Sequence, residues 1–166
     1  MKMIKNPKIQ CDDILKKLKS LSNPKNIEGM ARFGINPKNV FGVSIPNLRK
    51  LAKEIGKDHI LAQKLWDSKI HEARILASMI DKSDLVTKKQ ADQWIKDFDS
   101  WDVCDQVCLN LFDKTSFAFE KAIAWTKNEP EFERRAGFTL VACLALQHHH
   151  KLSSDEIFSI HKKIFN

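Results

Sequence analysis

The sequence predicts an all-α protein. Glycine and proline are sparse, five of each in 166 residues. Leu, Ile, Ala and Lys, good or tolerated helix formers, are abundant, and apolar positions recur every three and four residues rather than every two. Helices are expected over roughly 10 to 21, 26 to 33, 45 to 55, 58 to 66, 69 to 80, 86 to 97, 100 to 112, 115 to 126, 131 to 146 and 153 to 164. Local signals support several of these ends. Pro46 sits in a first helical turn after Ser44, Gly56 follows a lysine-containing helix end, Pro130 opens the next segment, and Ser153 precedes Asp155 and Glu156. Short helices joined by short connections imply antiparallel neighbours.

Composition narrows the class. With 43% apolar residues the chain can bury a core, and it is expected to form one domain over 1–166, since no linker or low-complexity stretch divides it. Apolar runs are soon interrupted by charge, so neither a membrane span nor a secretory segment is expected, and the chain reads as cytoplasmic. Cys11, Cys104, Cys108 and Cys143 lack the spacing of a disulfide scaffold or a zinc ribbon and are expected to be reduced and mostly buried. A net charge of +7 with a pI near 9.2 favours a polyanionic partner, although a basic balance alone also suits a merely soluble protein.

A weak internal echo runs along the chain. Leu65-Trp66 followed by His71-Glu-Ala-Arg-Ile-Leu-Ala resembles Ala124-Trp125 followed by Phe132-Glu-Arg-Arg-Ala-Gly-Phe. In each case a helix ending in tryptophan precedes one that opens with Glu and Arg. Such recurrence marks stacked helix pairs.

The segment over 100 to 112 carries the most informative side chains. Cys104, Val107, Cys108 and Leu111 follow the i, i+3, i+4, i+7 rule and define its buried stripe. Projected at about 100° per residue, Trp101 lies about 60° and Asp105 about 100° from Cys104 on one shoulder, while Asp102 lies about 160° away and is expected to face water near the positive end of the helix dipole. Trp101 and Asp105 are thus neighbours one turn apart. In the segment over 131 to 146, Phe132, Ala136, Thr139, Leu140 and Cys143 define the buried stripe. Arg135 falls on its shoulder and Arg134 on the outer side.

Each of these side chains also has an ordinary reading. Asp105 could pair with a neighbouring lysine, Trp101 could be a packing residue, and Arg135 could form an interhelical salt bridge instead of gripping a phosphate with its bidentate fork. A metal site built from His148, His149, His150 and Cys143 is disfavoured, because consecutive histidines point in different directions. No Gly-rich phosphate loop, Ser nucleophile motif or HExxH is present, which argues against a nucleotide hydrolase.

Taken in order, Gly29-Met-Ala-Arg-Phe-Gly-Ile35, Phe41-Gly-Val-Ser-Ile-Pro-Asn-Leu-Arg-Lys50, Leu65-Trp66 with His71-Glu-Ala-Arg74, Trp101-Asp-Val-Cys-Asp105 and Phe132-Glu-Arg-Arg-Ala136 resemble the DNA alkylation repair enzymes, the AlkD-like alkylpurine DNA glycosylases built from HEAT-like repeats. The resemblance covers most of the chain. It implies a right-handed α-solenoid of antiparallel helix pairs whose basic concave face grips duplex DNA. The activity it implies is release of cationic N3- or N7-alkylated purines without drawing the base into a pocket.

By the same resemblance, Asp105 is the catalytic carboxylate near C1′, Trp101 an aromatic surface against the deoxyribose, and Arg135 a phosphate contact. Phe33, where the family can carry tyrosine, and Ser44 join the DNA-binding set. No metal or organic cofactor is implied, the partner is duplex DNA containing alkylated bases, and a monomer is expected. The family also has a tryptophan in a later helix that this sequence does not reach, so relative to the family the chain is expected to be shortened at its C-terminus, either as a fragment or as a short homologue with an open end to its groove. The remaining alternatives are a non-catalytic DNA-binding module and a protein-binding helical scaffold.

Overall fold

A computed structural model describes residues 7–148 and Lys162; the helix expected over 153 to 164 and the histidines at 149 and 150 lie outside the described residues. Among the described residues there are nine α-helices and no strand. Contacts divide the chain into two compact units, one up to Leu85 and one from Val86.

The first unit contains α1 (Pro7–Ser20), α2 (Pro24–Arg32), α3 (Ile45–Ile55), α4 (His59–Asp67) and α5 (His71–Ile80). α2 begins at Pro24, earlier than its apolar spacing suggests, because the Asn23 side chain accepts from the amides of Lys25 and Asn26 and caps the helix there. α3 spans the expected residues, opened by Pro46 in its first turn and closed at Gly56. α4 packs on α5 and α1, and α3 covers another side of α5. α5 is therefore buried nearly all round, from His71 to Ser78 and again at Ile80.

Burial of α5 takes two charged residues inside. Arg74 lies 5.2 Å from the centre of the Trp66 ring. Glu72, 1% exposed, accepts from the amide of Phe41 at 3.0 Å on both oxygens, from Gly42 at 2.6 Å and from Val43 at 3.3 Å. These amides make the loop before α3 a fixed set of donors to the carboxylate, which could not be buried without such partners. Gly42 is required here: its φ is +75°, and a Cβ would lie 2.4 Å from the carbonyl oxygen of Asn23.

The second unit contains α6 (Lys88–Trp94) running into a 3₁₀ turn (Ile95–Asp97), α7 (Trp101–Asn110), a second 3₁₀ turn (Phe112–Lys114), α8 (Ala118–Trp125) and α9 (Glu131–His148). α6 starts at Lys88 because the Thr87 hydroxyl accepts from Gln90 N. α8 starts at Ala118, later than expected. The Thr115 hydroxyl donates to the carbonyl of Phe112, closing the preceding turn.

α9 packs on both α7 and α8. Phe112, fully buried, sits between Trp94 and Trp125 at centroid distances of 6.3 and 5.6 Å. The crossing of α8 and α9 is close enough that a Cβ on Gly137 would lie 2.3 Å from the backbone nitrogen of Thr126. The echo seen in the sequence is thus a pair of like helix pairs. Trp66 and Trp125 lie in the last turns of α4 and α8 and are buried, and α5 and α9 follow them.

Candidate nucleic-acid site

α7 buries Val103, Cys104, Val107 and Cys108 against α9, and Leu111, just past its end, is buried with them. The Cys104 and Cys108 thiols approach the carbonyls of Phe132 and Ala136 at 3.6 and 3.7 Å. Burial, then the hydrogen bond with Cys104, pushes the Cys108 thiol well above its usual range. Burial pushes Cys143 up to about 11. The Cys108 and Cys143 thiols stay protonated and act as packing groups.

That contact fixes the rotation of α7 and brings Asp105 to its edge facing α9. There Arg135 closes a bidentate fork on the carboxylate: Nε donates to Oδ1 at 2.9 Å and an Nη to Oδ2 at 2.7 Å. Thr139, one turn further along α9, donates its hydroxyl to Oδ1 at 3.1 Å. The side chains of Asp105 and Arg135 are 33% and 43% exposed, so the pair lies at the surface. The hydrogen bond to Asp105, outweighing partial desolvation, holds the guanidinium proton more firmly than usual. Trp101, one turn before Asp105, is 40% exposed.

The structure therefore brings Asp105 and Arg135 into direct contact, with Trp101 on the adjoining turn of α7. It corrects two details of the sequence reading. Asp102 is half-buried instead of fully in water, and its carboxylate accepts from the amide of Val103. The charged partner of Asp105 is an arginine 30 residues away and not a nearby lysine, so Arg135 forms the interhelical salt bridge that was its ordinary reading. Arg134 points elsewhere and donates to the carbonyl of Glu129 at 2.7 Å.

Phe33 and Ser44 belong to the first unit. Phe33 ends α2 and is 73% exposed; Ser44, half-buried, is the N-cap residue of α3, and its side chain makes no capping hydrogen bond. The sequence reading missed Thr139 as a partner of Asp105, placing it in the buried stripe. Its position four residues after Arg135 was the available signal, since i and i+4 share a helix face. Among the described residues no group of three or more His, Cys, Asp or Glu side chains converges in a way that could hold a metal ion.

The family model for DNA alkylation repair enzyme matches residues 14–166. The chain belongs to the DNA alkylation repair enzyme family. A solved structure described as "a new family of proteins related to the HEAT-like repeat DNA glycosylases with affinity for branched DNA structures" is similar, with a TM-score of 0.74 at 17% identity over 92% of this chain and 73% of its own. The fold is thus of the HEAT-like helical repeat type, as the sequence resemblance implied. No curated protein matches the chain.

Proposed function

We propose that the chain is a DNA repair glycosylase that hydrolyses the N-glycosidic bond of cationic N3- or N7-alkylated purines in duplex DNA. The observation that carries this reading is the surface carboxylate of Asp105, oriented by Arg135 and Thr139, one helical turn from the exposed ring of Trp101. An alkylated purine already bears positive charge, so it leaves as a neutral base when the bond between C1′ and nitrogen breaks, and no general acid is required. The sugar passes through an oxocarbenium-like state. Asp105 stabilises that cation and orients the water whose oxygen bonds to C1′ and whose proton is released to solvent.

Trp101 offers a flat face to the deoxyribose, and Arg135 presents a guanidinium to a backbone phosphate. The net charge of +7 suits a polyanionic partner. A fixed carboxylate of this kind is worth on the order of 3 kcal/mol, about two decades in rate.

A second reading is a DNA-binding protein without chemistry, with a preference for branched DNA. It is favoured by the description of the similar solved structure and by the closed Asp105–Arg135 pair. Incubating the protein with methylated duplex DNA and measuring free 7-methylguanine and 3-methyladenine separates the two. Release supports the glycosylase. No release, with tighter binding to a four-way junction than to a linear duplex, supports the second reading. Binding to neither, with no linear fall of log affinity against log salt, contradicts both.

A further inference from the structure

We propose that Thr139 is a positioning residue that tethers Oδ1 of Asp105, so that Oδ2 is the oxygen presented to the sugar when DNA engages Arg135. This inference rests on the glycosylase reading and adds to it a residue and an atom-level division of labour. The two carboxylate oxygens are not equivalent. Among the described residues, Oδ1 accepts both from Arg135 Nε and from the Thr139 hydroxyl, whereas Oδ2 accepts from Arg135 alone.

If Arg135 were the only partner, any phosphate that drew the guanidinium outward would also release the carboxylate to rotate about χ1 and χ2. Phosphate competes well for this group, because it fits the same planar fork. Thr139 carries no charge, so a phosphate draws it far less than it draws the guanidinium. It therefore keeps Oδ1 fixed while Oδ2 is uncovered.

The helix itself makes Thr139 suited to this task. A threonine inside a helix commonly returns its hydroxyl to a carbonyl three or four residues earlier. Here its one proton goes across to α7 instead. Thr139 is half-buried on the flank of α9, and β-branching limits its χ1. Because it follows Arg135 by one turn, both partners of Asp105 come from one rigid element. The carboxylate is thus pre-set before substrate arrives, as electrostatic catalysis requires.

The test uses the whole chain with Thr139→Val, which keeps the shape and removes the donor, and Thr139→Ser, which keeps the donor. At saturating protein over methylated duplex, Thr139→Val is expected to lower the single-turnover rate of 7-methylguanine release about tenfold, the equivalent of about 1.4 kcal/mol. DNA affinity is expected to stay within about twofold and Thr139→Ser to recover most of the rate, since the phosphate grip is unchanged. A Val variant as fast as wild type, or a Ser variant as slow as Val, overturns the proposal.

A second readout keeps the tether separate from the activity. The carbon-13 resonance of the Asp105 carboxyl, followed with the protein bound to undamaged duplex, should move in Thr139→Val and stay in place in Thr139→Ser. If the wild type releases no base, the glycosylase reading fails while this resonance still decides the tether. A resonance unmoved by Val then overturns it.

Discussion

Glu72 and Asp105 are both acids on helices that pack inside a helix pair, yet they are held in opposite ways. Glu72 is almost wholly buried and its partners are three consecutive backbone amides of the loop before α3. Asp105 is a third exposed and its partners are two side chains of α9. Backbone amides cannot turn away without remaking a loop, whereas an arginine can exchange one anion for another. The first arrangement builds the fold; the second leaves a charge at the surface in a pair that another anion could open. The arginines of the echoed motifs diverge likewise, Arg74 buried over Trp66 and Arg135 at the surface.

The largest expected effect tests the structural half of this contrast. Glu72→Gln should destabilise the protein by about 3 to 5 kcal/mol in urea unfolding, because a buried carboxylate site loses its charge-assisted bonds. Asp105→Asn should change stability by less than about 1 kcal/mol, as for a surface ion pair. Equal losses at the two positions would erase the distinction. Next, Gly137→Ala should lower stability by about 2 kcal/mol, since its Cβ would meet the backbone at Thr126 instead of a flexible side chain. Thermal unfolding measures this, and an unchanged midpoint would mean that the α8–α9 crossing can open at little energetic cost.

Arg135→Ala should leave stability within about 1 kcal/mol while reducing the slope of log affinity for duplex DNA against log salt by about one. An unchanged slope would assign Arg135 to the ion pair alone.

The smallest effect is alkaline. The Cys143 thiol is held near 11 in the fold against 9.0 ordinarily, so its contribution is complete below pH 9.0 and is lost as pH rises towards about 11. Cys108 shifts in the same direction. The unfolding midpoint should fall across that window, and less steeply in Cys143→Ala.

How much of this was legible in the sequence depended on the range of the interaction. Pro46 and Gly56 bounded α3 because they act on their own turn. The buried stripe of α7 was likewise readable, since 3.6-residue periodicity is a local property. The same projection put Arg135 on the shoulder of α9 and Arg134 outside it. It could not supply Asp105 with its partner, which lies 30 residues away, nor show that Thr139 turns its hydroxyl across to α7. Glu72 was hidden for the same reason: nothing near it in sequence announces amides 29 to 31 residues earlier. Asp102 was misplaced because a helical projection shows angle alone, and not what packs beside the first turn.

The central claim is that Asp105 is the acid used for chemistry. Single-turnover release of 7-methylguanine from methylated duplex, compared between wild type and Asp105→Asn at saturating protein, tests it most directly. A rate lowered by about two decades with DNA affinity retained is the predicted result. Release by Asp105→Asn at the wild-type rate would contradict it.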